Sequence, residues 1–211
     1  MKFSAIISTK KIADTPERIA HQNACIQSWH DHAHRVILLN KPKDVADLKY
    51  VEAVEPLEEH PSLAQVIKTA AIGRGMYDHD PIAIIPCDVM MQGSLAKLDN
   101  YIRLRQVRRA WAATSHRWEG DNEIEWAFDL FAATKKIWKE FRDIPAYLKI
   151  GQPMWDIWIN EKLNIHVGDH RYVNLSPLKV VNHEPHEGGR NMDKGINAGK
   201  VTGWMPPVPT V

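Results

Sequence analysis

The segment Ile82-Ala83-Ile84-Ile85-Pro86-Cys87-Asp88-Val89-Met90 carries the main architectural signal of this chain. Four apolar residues in a row, three of them β-branched, are too few for a helix and show no alternation. They describe a strand buried on both faces, as in the middle of a parallel sheet. Pro86 ends the run, and Asp88 follows at the carboxyl end, the edge where open α/β sheets bind their ligands.

The pattern extends in both directions from there. Upstream, Ser4 to Thr9 predicts a strand, and Pro16 and Glu17 open a helix that continues through Ile19, Ala20, Ala24, Ile26 and Trp29. Arg35 to Leu39 predicts a second strand, stopped by the turn signal Asn40-Lys41-Pro42. Tyr50 to Val54 is a third, and Pro61 to Gly73 a helix with Leu63, Val66, Ile67 and Ala70 on one face. Strands alternating with helices predict an α/β fold with a mixed, mostly parallel sheet flanked by helices. Downstream, Leu95 to Arg109 predicts an amphipathic helix. Strands at Trp111–Ser115 and Trp126–Ala133 flank the polar turn Glu119-Gly120-Asp121-Asn122. Helices at Lys135–Phe141 and Met154–Leu163 precede a late strand, Leu178 to Val181, which leads into His183. Five glycines and three prolines follow from Gly188 onward. Residues 1–187 are therefore expected to form one catalytic-size domain and 188–211 a tail or lid.

Composition narrows the class. The 211 residues are 44% hydrophobic and 25% charged, ordinary globular usage that excludes a disordered chain. Lys and Arg number 27 against 26 Asp and Glu, so only a local patch can attract nucleic acid or an anionic membrane. No apolar run approaches the ~20 residues of a bilayer span, and the N-terminus lacks a secretory pattern. Two cysteines, Cys25 and Cys87, make no disulfide framework, so a reduced, cytoplasmic setting is expected.

Three segments carry candidate chemistry. Asp88 is placed to hold a divalent cation against a diphosphate, or more simply to cap the following turn. Val181-Asn182-His183-Glu184-Pro185-His186 ends another strand with two imidazoles, which are either metal ligands or solvated loop side chains. Pro153-Met154-Trp155-Asp156 opens a helix. Asp156 in its first turn is a candidate general base that the dipole keeps ionised, or a plain dipole-stabilising residue. Trp155 and Trp158 share a helix face and serve either the core or a sugar ring. The run Trp29-His30-Asp31-His32-Ala33-His34 ends a helix, where alternate residues do not converge, so it is set aside as a metal site.

Taken in order, these pieces resemble the glycosyltransferase-A (GT-A) fold family of nucleotide-sugar-dependent enzymes, in particular compact family-2-like members. The resemblance spans Phe3 to His186. It implies donor binding by Thr9 after the first strand, Arg18 in the first helix, Asn40 after the second strand, and Asp88. Asp88 matches the family's Asp-x-Asp element, of which one carboxylate remains because position 86 is Pro. Mn²⁺ or Mg²⁺ is implied as cofactor, with Asp88 and either His183 or His186 as ligands. Thr114-Ser115-His116-Arg117-Trp118 and Phe128-Asp129-Leu130-Phe131 are similar to the acceptor-side strands. The implied acceptor residues are Arg117, Trp118, Asp129 and Trp155, with Asp156 as catalytic base.

The implied reaction moves a sugar from a UDP- or GDP-sugar to an acceptor hydroxyl, a carbohydrate in the first instance. The Gly-rich tail, with Arg190, Lys194 and Lys200, would close over the diphosphate. Arg103, Arg105, Arg108 and Arg109 keep open a second acceptor, the hydroxymethylated bases of viral DNA. A third reading is a nucleotide- or sugar-binding module without catalysis.

Overall fold

Strands β1 (Ala5–Ser8), β2 (Val36–Leu38), β3 (Val51–Ala53) and β4 (Pro81–Ile84) lie in the order β3-β2-β1-β4, all parallel. This computed structural model describes residues 2–10, 15–58, 61–93, 95–96, 99–100, 110–150, 154–167 and 171–183. Beyond β4 the sheet continues through β7 (Asn122–Thr134), β6 (Ala112–Glu119) and β8 (Tyr172–Asn174). β7 runs antiparallel to both of its neighbours, while β8 is parallel to β6. The result is the expected mixed, mostly parallel sheet. A separate antiparallel pair joins β5 (Val89–Met91) to β9 (Val181–His183).

Consecutive strand residues serve opposite faces. Ala5, Ile7, Ile82 and Ile84 join one buried cluster, while Ile6, Ala83 and Ile85 join the other. That division is why the central strands read as unbroken apolar runs. One face is covered by helix α1 (Pro16–Ser28), through Ile26 and the following Trp29, together with β5 and β9. The other carries α2 (Leu63–Ile72), α3 (Lys135–Glu140) and α4 (Trp155–Val167).

Local chemistry sets the helix ends. Thr15 caps α1, its hydroxyl accepting from the Arg18 N–H at 3.3 Å, and Pro16 supplies the fixed φ of a first helical residue. Ser62 caps α2 by accepting from Gln65 N–H at 3.3 Å, and Gly73 at φ +40° closes its C-terminus. A Cβ at Gly73 would lie 3.1 Å from the Ala70 carbonyl oxygen, so glycine is required there on two counts. The buried Lys135 ammonium donates to the Gly73 and Met76 carbonyls at 3.0 and 2.8 Å, tying α3 to that terminus.

Three expectations need correction or extension. The late strand begins at Val181, not Leu178, because Ser176–Leu178 forms a 3₁₀ turn ended by Lys179 at φ +46°. β5 and β8 are additional, three-residue strands each paired with one neighbour, β9 and β6 respectively. Most of the expected Leu95–Arg109 helix lies outside the described residues.

Candidate active site

Parallel register brings the carboxyl ends of β1, β2 and β4 to one edge, with Ser8 beside Leu38 and Ile7 beside Ile84. Thr9, Asn40 and Asp88 emerge there, as the strand pattern required. The Ser8 hydroxyl donates to the Ile85 carbonyl and fixes β1 against the segment leading to Asp88.

Asn40 has a more specific role than its position suggested. Its Oδ1 accepts from the Lys10 N–H at 2.7 Å and its Nδ2 donates to the Lys10 carbonyl at 2.9 Å. Both ends of the buried amide are thus spent on the backbone after Thr9, holding that loop at the edge. Lys10 in turn reaches Asp47 at 3.4 Å. Arg18 stands exposed in the first turn of α1.

Strands β6 and β7 supply the centre of the candidate site. Arg117 on β6 donates from Nε to Asp129 Oδ2 at 3.0 Å and from Nη2 to Asp129 Oδ1 at 3.1 Å. Asp129 on β7 is fully buried, and its Oδ2 also accepts from His183 Nδ1 at 3.3 Å. His183 belongs to β9 and pairs in register with Val89, the residue after Asp88. Burial disfavours the Arg117 charge, yet the Asp129 charge and hydrogen bonds, with Asp156 and Asp88 adding, hold its pKa above the ordinary value. Asp88, Arg117, Asp129, Asp156 and His183 therefore form one electrostatic unit, drawn from β4's end, β6, β7, α4 and β9.

Asp156 sits in the first turn of α4 as expected, and its Oδ2 accepts from the Phe128 N–H at 3.4 Å. The direction of its pKa corrects the expectation from the helix dipole. Desolvation raises the carboxyl from 3.8 to about 6, outweighing the backbone N–H groups of Phe128 and Ile157, while Asp129 adds repulsion. Such a carboxylate is ionised at neutral pH yet more basic than a solvated one, which suits proton abstraction.

A bulge makes this assembly possible. Between Ser115 and Arg117 the β6–β7 register slips, so that His116 faces Phe128 while Arg117 faces Ile124. The extra residues on β7 bring Asp129 within reach of Arg117. Bulges beside active sites commonly re-aim side chains in this way. His116 sits at this slip, on β6. Its Nδ1 lies 2.6 Å from Glu123 Oε1, a contact that crosses the hairpin and was not anticipated.

The two tryptophans implied on the acceptor side are placed with the framework. Trp155 is 5% exposed, its ring edge-on to Phe131 at 5.2 Å. Trp118 is buried, donates from Nε1 to the Ser176 carbonyl at 3.0 Å, and carries the Lys179 ammonium 4.3 Å over its ring. His186, Arg103, Arg105, Arg108, Arg109 and residues 188–211 lie outside the described residues.

No model of a known protein family matches the chain, and no curated protein resembles it in sequence. Solved structures resemble it in fold. The glucosyl-3-phosphoglycerate synthase of Mycobacterium tuberculosis, determined with Mn²⁺, UDP and phosphoglyceric acid, superposes with a TM-score of 0.55 at 12% identity, over 97% of this chain and 80% of that one. The inositol-1-phosphate CTP transferase of T. maritima gives 0.50 at 11% identity, over 97% and 98%. The chain has the GT-A fold. At such identity the likeness concerns architecture, and the chemistry rests on this chain's own side chains.

For a divalent cation, the donor set of this GT-A-fold chain can be tested directly. Among the described residues no group of three or more His, Cys, Asp or Glu side chains forms a cage. A cage is not required, because Mg²⁺ commonly takes one or two protein ligands and completes its shell with water and phosphate. Asp88 and His183 meet that need at the ends of paired strands. The carboxylate of Asp129 engages His183 at Nδ1, which leaves Nε2 as the ring nitrogen turned away from Asp129. A carboxylate behind a ligating histidine is the usual supporting arrangement. The residues fit.

Proposed function

We propose that this chain is a nucleotide-sugar-dependent glycosyltransferase, moving a sugar from a UDP- or GDP-sugar to an acceptor hydroxyl. The observation that carries this reading is Asp156. It is a carboxyl raised to about 6 by burial, in the same charged unit as Asp88 at the strand edge. Asp156 takes the proton of the acceptor hydroxyl as its oxygen attacks the anomeric carbon. The bond from that carbon to the diphosphate oxygen breaks, and its electron pair leaves with the nucleoside diphosphate. Arg117 holds Asp129, and Asp129 holds His183, so the site is fixed before substrate arrives. Mn²⁺ or Mg²⁺ on Asp88 and His183 supplies charge neutralisation at the diphosphate when bound. Thr9, Arg18 and the Asn40-locked loop are assigned to the donor. Arg190, Lys194 and Lys200 of the tail are assigned to closing over it.

A carbohydrate acceptor is favoured over hydroxymethylated DNA. The hairpin beside Asp156 carries Glu119, Asp121, Glu123 and Glu125, which repel a polyphosphate backbone. A binding module has no use for a proton acceptor of raised basicity. Cys25 and Cys87, both buried thiols outside any disulfide, suit a reducing cytoplasm. Among the described residues no helix is long and apolar enough to cross a membrane.

The test is incubation with UDP-, GDP- and CMP-sugars and Mn²⁺, following release of nucleoside diphosphate or monophosphate. Slow release without acceptor supports the transferase. Release of pyrophosphate from nucleoside triphosphates, with sugar nucleotides untouched, would instead assign nucleotidyl transfer.

A further inference from the structure

We propose that His116, Glu123 and Phe128 select the acceptor, favouring a neutral or amine-bearing sugar or polyol over a phosphorylated one. This rests on the transferase reading above. His116 and Phe128 are cross-strand partners, so their side chains leave the same face of the sheet. Their rings meet edge to face at 4.8 Å between centroids. The N–H of Phe128 is the one bonded to Asp156 Oδ2, so a partly exposed aromatic ring and the proton acceptor meet at a single residue. His116 is held by Glu123 at 2.6 Å, and both side chains remain partly exposed, at 19% and 32%. An imidazole fixed through Nδ1 presents Nε2 in a set direction, and a carboxylate with one oxygen engaged keeps a second one to accept hydroxyls. A flat apolar surface beside directed polar groups matches a pyranose, which has a C–H face and a hydroxyl rim.

Charge gives the discrimination. Glu119, Asp121, Glu123 and Glu125 fall within seven residues of this hairpin. Among the described residues, the Lys, Arg and His side chains set on it are each matched to a carboxylate. Lys179 lies 2.9 Å from Asp121, Arg117 is bidentate on Asp129, and His116 is on Glu123. A phosphate ester carries a charge of about −1.5 to −2 and would have to break one of these pairs to be held. A hydroxyl or an ammonium adds to them without breaking any.

The experiment uses the full chain with Mg²⁺ and whichever donor of the panel releases nucleotide unaided. Acceptors are methyl glycosides, amino sugars and the matching sugar 6-phosphates. Neutral and amine-bearing acceptors should be used at least about tenfold better than the phosphates. Glu123→Gln should raise the acceptor KM about tenfold, the worth of one charge-assisted hydrogen bond, with the donor KM steady. Glu123→Lys should shift preference toward the phosphates, a gain that misfolding cannot mimic. A wild-type preference for sugar phosphates, or an acceptor KM unmoved by both Glu123 variants and by Phe128→Ala, would overturn the proposal. If no donor releases nucleotide, the transferase reading fails by itself. Saturation-transfer NMR with UDP and Mg²⁺ then reads acceptor binding directly. Glycosides that bind wild type but not Glu123→Gln retain the selecting wall, and any other pattern removes it.

Discussion

Arg117 and Asp129 are locked by two hydrogen bonds, at 3.0 and 3.1 Å, although strand register sets Arg117 opposite Ile124 and not opposite Asp129. The bond bridges the bulge in β7 and anchors the carboxylate that holds His183. Both members sit in a largely dry environment, where a pair is far better kept whole than halved.

Removing one member should therefore be costly. Arg117→Ala leaves the buried Asp129 carboxylate without its fork and is expected to destabilise the fold by about 3 kcal/mol. Arg117→Lys should recover only part of this, since an ammonium lacks the bidentate geometry. Urea midpoints of the three proteins check it, and equal midpoints would show the pair to be dispensable.

Asp156→Asn keeps the shape and removes the proton acceptor. Turnover is expected to fall by about 10²–10⁴ with donor affinity retained. In the wild type the acid limb of the rate profile should bend near pH 6, the rate rising as Asp156 loses its proton. A limb near pH 4, or a variant of undiminished kcat, would remove Asp156 as the base and make Glu125 and Asp129 the next residues to substitute.

The same residue carries a stability prediction of opposite sign. Unfolded, Asp156 loses its proton near 3.8, whereas folded it holds the proton to about 6. Stability contributed by this site therefore falls as pH rises from 4 to 6 and stays lower above it. Asp156→Asn lacks that slope and should gain about 2 kcal/mol on wild type between pH 4 and pH 8, a figure reduced for the carboxyl's residual solvent contact. Parallel urea-stability curves for the two proteins across that range would contradict it.

Calorimetry of UDP binding with and without Mn²⁺ examines the cation. Affinity should rise with metal, and Asp88→Asn should abolish the increment, while His183→Ala should reduce it about 10- to 100-fold. Equal affinities in the presence and absence of metal would leave Asp88 as a structural residue.

The sheet, and the edge where Thr9, Asn40 and Asp88 lie, were legible because they depend on local signals. Ile82 to Ile85 reads as a doubly covered strand because three of its four consecutive apolar residues are β-branched and Pro86 stops it short of a helix, and its residues do serve both buried clusters. Parallel strands then place Thr9, Asn40 and Asp88 at one edge without any knowledge of their contacts. Pro153 likewise located Asp156 at a helix start. What tertiary structure alone decided is how these groups act on one another. A regular hairpin turning at Gly120-Asp121 would set His116 against Glu125 and Asp129 against Ala112. The slipped register instead sets His116 against Phe128 and leaves Asp129 where the Arg117 side chain reaches it. The pKa of Asp156 is set by the tertiary structure for a related reason. A helix dipole is visible in a sequence, but the desolvation that outweighs it comes from elements distant in the chain. The fate of the tryptophans is decided in the same way, because spacing puts Trp155 and Trp158 on one face and only packing against Phe131 and Phe141 makes that face the core.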